Sequence, residues 1–221
     1  MRLWRSIFAG SVSMLVVAQV AATPNFNGVW LPANDVTALQ TEDGQLPPLL
    51  PEAKAIYEAN VTARQQGDTG FDPTMRCQPP GIPRAYFMGP MEVQQDGKFI
   101  YINFEFNRFF RVIDLDVTHG QQDIYAPTYY GWSTGYWDDD TLVIDGIFFN
   151  DTTLLDAAGL PHSMDLHVIE RWEMTDNSHL KMTITLEDPQ MYSRPWRFSA
   201  QFERAPKGTE ILEDVCLERM Q

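Results

Sequence analysis

The residues best suited to moving protons lie in one stretch, Pro161-His162-Ser163-Met164-Asp165-Leu166-His167, followed at once by Glu170-Arg171. An imidazole titrates near neutrality, and a neighbouring carboxylate can orient it or share its proton. The spacing therefore suits general acid–base chemistry, with His162 as base or acid, Glu170 as its partner, and Arg108 or Arg171 stabilising developing negative charge. Ser163 is a weak nucleophile candidate, because adjacent side chains diverge. Gly131-Trp132-Ser133-Thr134-Gly135 is not taken as a hydrolase nucleophile elbow. For a metal the donors are His119, His162, His167 and His179 with Asp138-Asp139-Asp140. The histidines lack ligand spacing and the acidic run lacks the alternation of a calcium loop, so no metal is expected. No phosphate-cradling or dinucleotide fingerprint occurs, so no cofactor is expected either.

These groups need a scaffold, and the chain has the material for one. Of 221 residues, 44% are hydrophobic and 12% aromatic, which supports a packed core and excludes intrinsic disorder. Residues 1–22 carry Arg2 and Arg5, an apolar run and Val20-Ala21-Ala22, the pattern of a secretory signal cut after Ala22. The net charge of −14 becomes −16 once Arg2 and Arg5 leave with the leader. So acidic a surface disfavours nucleic acid and anionic membranes as partners. Export to the periplasm or beyond permits disulfides, and the only two cysteines, Cys77 and Cys216, are expected to pair.

Element signals point to a mainly β chain. A short strand at Phe26–Trp30 is followed by a helix opening at Pro51-Glu52 and ending near Gly67, then by a proline-rich loop to Pro90. From Met91 the sequence alternates, with strands expected at 91–95, 99–113, 132–137, 141–149, 166–175, 180–186 and 196–204. Short turns between them imply an antiparallel meander rolled into a barrel. The chain then divides into a leader (1–22) and one barrel domain (23–221), made of an annex (23–90), the meander (91–204) and a tail (205–221) tied by the disulfide.

Two-residue periodicity adds the functional signal. Leu180, Met182, Ile184 and Leu186 give a clean dry face. By the same count Glu170 falls among Leu166, Val168, Trp172 and Met174, Arg108 among Ile100, Ile102, Phe104, Phe106, Phe110 and Val112, and Asp145 among Val143, Ile147 and Phe149. A charge on an apolar face must pair, shift its pKa or line a cavity. A structural Glu170–Arg108 pair, or bulges that return these charges to solvent, is one outcome, and an acid–base constellation in a ligand cavity is the other. The opposite face of the 99–113 strand offers Tyr101, Glu105 and Arg111 as a polar lining, and Tyr130, Trp132 and Asp145 complete a candidate substrate-binding set.

Asn27-Gly28-Val29-Trp30 resembles the Gly-x-Trp that opens lipocalin and other calycin barrels, in which the Trp plugs one barrel end. More of the chain, through Cys77-Gln78-Pro79-Pro80-Gly81-Ile82-Pro83-Arg84, Gly131–Trp137 with Asp140–Ile144, Pro161-His162-Ser163 with Leu166–Arg171, and Asp188-Pro189 with Pro195-Trp196, resembles a widespread family of exported bacterial β-rich proteins to which no activity is attached. The resemblance implies export and a shared fold. At the hairpin Asp138-Asp139 replaces a Gly-containing pair, which leaves its turn type open.

The expectation is thus an antiparallel, calycin-like barrel with one N-terminal helix and a long Pro-rich loop. Its leading function is that of a cofactor-independent lyase, isomerase or cyclase acting on a small apolar or aromatic molecule in a barrel cavity. The alternative is a non-catalytic binding protein for such a ligand, with a hydrolase third.

Overall fold

Alternating strands with wet and dry faces cannot stay flat and exposed, and here they close on themselves. The computed structural model describes residues 23–117 and 126–219. Nine strands, β1 (Gly28–Pro32), β2 (Met91–Gln95), β3 (Phe99–Phe104), β4 (Phe110–Asp114), β5 (Trp132–Asp138), β6 (Thr141–Ile147), β7 (His167–Met174), β8 (His179–Glu187) and β9 (Trp196–Arg204), form a closed barrel in sequence order. The expected closed β-barrel is therefore present, with one long helix among the described residues, α1 (Pro51–Gln65), which has Pro51 at a first-turn position where its missing N–H costs nothing.

One seam departs from the antiparallel expectation, for a reason of parity. A closed ring with an odd number of strands cannot alternate direction throughout. The mismatch falls between β4 and β5, which run parallel and pair through only Ile113–Ser133 and Asp114–Thr134. Every other neighbouring pair is antiparallel.

Register sorts the inward residues into rows. Ile144, Glu170, Ile184 and Phe198 lie side by side across β6–β9, and Leu142, Trp172, Met182 and Ala200 form the next row. All are buried. The barrel centre, where a ligand cavity was expected, is packed with side chains from outside the sheet. The 3₁₀ turn Arg84–Phe87 in the Pro-rich loop drives Tyr86 inward against Phe104, Trp172 and Phe202, with ring centroids 5.7, 6.0 and 6.3 Å away. Phe87 stacks on Phe202, and Phe26 lies flat against Trp137 and edge-on to Trp172. Trp30 of β1 is fully buried, with the Arg204 guanidinium 4.2 Å from its ring centroid.

The expected disulfide joins Cys77 to Cys216. It anchors the tail, whose last described segment is the helical turn α2 (Cys216–Arg219). At the β5–β6 hairpin, Asp139 itself takes a left-handed φ of 53°, which resolves the missing glycine.

Candidate functional site

Glu170 is wholly buried, so its carboxylate must find donors inside the barrel. It finds three. Arg111 Nη1 donates to Oε1 at 2.5 Å, while the Tyr86 hydroxyl (2.7 Å) and Trp172 Nε1 (3.0 Å) donate to Oε2. Arg111 Nη1 also donates to the Tyr86 oxygen at 2.5 Å, closing a triangle, and Nε and Nη2 both donate to Ser133 Oγ at 3.0 and 2.7 Å. Burial pulls the Arg111 guanidinium toward losing its proton, but Glu170 and Tyr86 outweigh it and hold its pKa above the ordinary value. Burial, reinforced by Glu170, raises the Tyr86 phenol well above its usual range and keeps it neutral. The cluster is a charge-balanced, saturated network, suited to fixing the barrel core.

The cation in this cluster is Arg111, and Arg108 lies elsewhere. The expected continuous strand 99–113 is broken by a 3₁₀ turn at Phe106–Arg108, where Asn107 and Arg108 take left-handed φ values of 51° and 55°. The turn shifts the phase by one residue. Ile100, Ile102 and Phe104 face inward before it, and Arg111 and Ile113 face inward after it, with Phe110 turned out to 64% exposure. Arg111 is thereby separated from Tyr101, which stays half-buried beside Phe99 on the outer side of β3. Arg108 instead donates to the Ile211 and Leu212 carbonyls of the tail, and Glu105 accepts from Leu212 N at 2.8 Å. With Asn107 bonded to Asp214 and Cys216, the whole turn is a clamp for the tail.

The expected His162–Glu170 pair does not form. His162 is buried, its Nδ1 donates to the Ser163 carbonyl at 3.0 Å, and its Nε2 accepts from Thr153 Oγ1 at 2.7 Å. Burial lowers its pKa, so the ring is held neutral with both nitrogens committed. Ser163 is fixed in turn by Asp188, which accepts from its backbone N and its hydroxyl. Arg171 faces outward on β7 and pairs with Asp138 at 2.9 Å. Asp145 also faces outward and meets His167 Nε2 at 3.1 Å. In β6 it is the even set, Leu142, Ile144 and Gly146, that turns inward, a choice dictated by the Ile144–Glu170 register and ambiguous in a strand apolar on both faces. The Gly-x-Ser-x-Gly spacing of 131–135 runs into strand β5, and Ser133 is the buried acceptor for Arg111. Among the described residues no three His, Cys, Asp or Glu side chains are grouped to hold a metal ion; His119 lies outside them.

Tyr130 and Trp132 do come together, at the parallel seam. Because β4 and β5 share only two paired positions, they diverge below Ile113, and the chain before β5 bridges to Phe149 through Thr128 instead. The gap is a cleft of about 360 Å³ walled by Phe110, Arg111 and Val112 on one side and Thr128, Tyr130 and Trp132 on the other. Tyr130 stacks on Phe104 at 5.7 Å and packs on Phe109 at 6.2 Å. Its hydroxyl is buried and has no hydrogen-bond partner among the described residues, and burial raises its pKa despite the opposing pull of Arg111. Gly131 turns the chain here at φ 65°, where a Cβ would sit 2.6 Å from the Ile147 carbonyl and 2.8 Å from the Phe149 ring. Sequence reasoning finds the aromatic cluster 129–132 but misses Tyr86 and Ser133. Tyr86 lies in a loop without periodicity, and Ser133 looks like any strand serine.

Fold and site together define a closed β-barrel with a filled interior and an aromatic cleft at its one parallel seam. No family model matches the chain, and no curated protein sequence matches it. Among solved structures it is similar to a point mutant of the fluorescent protein UnaG, with a TM-score of 0.35 and 14% identity over 84% of this chain and 97% of that one. The barrel assignment rests on the strand order above and not on that likeness.

Proposed function

We propose that this chain is an exported, non-catalytic small-molecule-binding barrel whose ligand occupies the β4–β5 seam. The carrying observation is the aromatic cleft between Phe110 and Trp132, an apolar concavity with few polar groups, which is the usual make-up of a ligand site. The acid–base lyase, isomerase or cyclase reading lacks its pair: Glu170 has three donors on its two oxygens, and His162 has neither nitrogen free. Export, and kinship with the exported β-rich family that the sequence resembles, are supported by the Cys77–Cys216 bond and by the leader-like first 22 residues. No helix among the described residues is long and apolar enough to cross a membrane. The test is titration of the chain from Thr23 onward with a neutral naphthalene-based fluorophore. Trp132→Ala should weaken binding about tenfold through loss of an aromatic wall, while Tyr136→Ala, an exposed aromatic outside the cleft, should leave it unchanged. Equal affinity of Trp132→Ala and wild type would overturn the proposal.

A further inference from the structure

The barrel wall has a second opening, away from the seam, where β1 stops short along β9. Backbone parity in β9 is fixed on both sides. Arg204 N donates to Ser178 O at 2.7 Å, so the even residues of β9 bond to β8. Ala205 N donates to Val29 O at 2.8 Å and Gln201 O accepts from Ala33 N at 2.9 Å, so the odd residues face β1. Past Ala33 the chain leaves this edge, and it regains it only where Glu42 N donates to Arg197 O at 3.1 Å. Between the two points Ser199 turns its backbone N–H and C=O into the gap, where neither has a hydrogen-bond partner among the described residues.

The detour is held off the edge. Leu39 is buried and its N–H donates to Asp156 Oδ2 at 2.9 Å, while Thr37 O accepts from Ala158 N at 2.9 Å. Closing the gap would break both bonds. Ser199 is exposed, and two clefts meet at it: one of about 480 Å³ beside Gln40 and Glu42, and one of about 200 Å³ among Leu39, Phe87, Phe198 and Ala200. An open strand edge presents a donor and an acceptor at the spacing of another extended backbone, which is why barrels and sheets cover their edges and why peptides add to uncovered ones.

A residue placed opposite Ser199 in the direction of β1 would exchange both bonds with it. Its side chain would stand on the Ser199 side of the sheet, towards Glu42, which accepts from Ser199 Oγ at 3.5 Å. Its two neighbours, level with Phe198 and Ala200, would point inward to the smaller, mainly apolar cleft. These open levels span about 10 Å, the length of about three extended residues. Glu42 and the net charge of −14 disfavour an acid at the centre.

We infer that the β9 edge at Ser199 binds a short extended peptide, antiparallel to β9, in which small apolar side chains flank a polar or basic one. Main-chain hydrogen bonds to Ser199 supply the recognition, and the flanking side chains fill the space under the detour. The site is independent of the seam and of what the seam binds.

Amide NMR of the chain from Thr23 onward, titrated with acetyl-Val-Lys-Val amide, tests this. The Ser199 amide proton should move downfield and gain protection from exchange as it acquires an acceptor, with further shifts at 197–201 and 33–42 and none at 128–132. Methylating the central peptide nitrogen removes the hydrogen that Ser199 O accepts, and should weaken binding about tenfold. A central Glu in place of Lys should also weaken it. Ser199→Ala keeps the backbone and should bind the peptide as the unsubstituted chain does. Equal affinity for the methylated and unmethylated peptides, tighter binding of the Glu peptide, loss of binding in Ser199→Ala, an unmoved Ser199 amide, or no saturable shift at all would each overturn the inference and leave the seam reading untouched.

Discussion

Replacing Glu170 by Gln removes one charge from the centre of the barrel and changes almost no volume, so its cost can be worked from the bonds it disturbs. Arg111 cannot release its proton to compensate. It is left as a buried cation facing an amide, and breaking a buried pair from one side costs about 3–5 kcal/mol. The amide worsens the position, since Glu170 accepts at both oxygens. Whichever end carries the Gln NH2 meets Arg111 Nη1, or meets the Tyr86 hydroxyl and the Trp172 indole N–H, donor against donor. The upper half of that range is expected. Against a domain stability of about 5–15 kcal/mol, this is about a quarter or more of the total. With a urea slope of about 2.5 kcal/mol per M, the unfolding midpoint should fall by about 1.6–2 M. Arg111→Met should cost a similar amount, and the double variant Arg111→Met/Glu170→Leu clearly less than the sum, because both charges leave together. A loss under about 1 kcal/mol for Glu170→Gln, or full additivity in the double variant, would refute the view of this cluster as a tightly coupled core.

The two histidines of the proton-transfer candidate should titrate in opposite senses. His167, bonded to Asp145 and beside Glu187, has its pKa raised from 6.5, so its stabilising contribution is full below that value and is lost as pH rises through the folded-state pKa. His162, lowered by burial, stabilises above 6.5 and loses that contribution as pH falls toward its folded-state pKa. Imidazole proton resonances should therefore give a midpoint above 6.5 for His167 and below it for His162, and the reverse order would contradict the assignments. At Gly81, with φ 74°, a Cβ would lie 2.5 Å from Thr153 Oγ1, so Gly81→Ala should destabilise by about 2–4 kcal/mol from left-handed strain plus overpacking. Denaturation of Gly81→Ala alone and with Thr153→Ser should show no recovery of the strain component; a neutral Gly81→Ala would contradict the packing. Removing the disulfide with Cys77→Ala/Cys216→Ala, which opens a link across 139 residues, should cost about 4–5 kcal/mol on the chain-entropy account and speed hydrogen exchange at Glu105–Arg108, the tail clamp. Unchanged exchange there would separate the clamp from the tail.

The barrel was legible because most strands keep their phase. Leu180, Met182, Ile184 and Leu186 on β8, and Glu170 within the inward set of β7, fall where alternation puts them. Phase is lost in two places, each for a local reason. Between Phe104 and Phe110 no glycine or proline marks the turn; Asn107 and Arg108 adopt left-handed backbone held by bonds to the tail, a contact more than a hundred residues away in sequence. Counting by twos therefore sends the wrong arginine to the interior. In β6 both faces are apolar, so only pairing with β7 decides that Ile144 and not Asp145 turns inward. The candidate site failed for another reason. His162 and Glu170 are close in sequence, but a loop folded on Thr153 absorbs the histidine and a 3₁₀ turn from the annex supplies the carboxylate's partner Tyr86. Alternation carries no information about a plug delivered from a loop. The aromatic run Tyr129–Trp132 was visible in composition, whereas the cleft beside it follows from closing an odd number of strands, which only the topology reveals.

The most direct test of where this protein binds is backbone-amide NMR of the chain from Thr23 onward, titrated with acetylnaphthalene. Shift changes concentrated at Phe110–Val112 and Thr128–Trp132 are the expected result. Changes spread through the inward rows of β6–β9 around Glu170 with the seam unmoved would contradict the account, because they would place the ligand in a barrel interior that Tyr86 and its neighbours are held to fill.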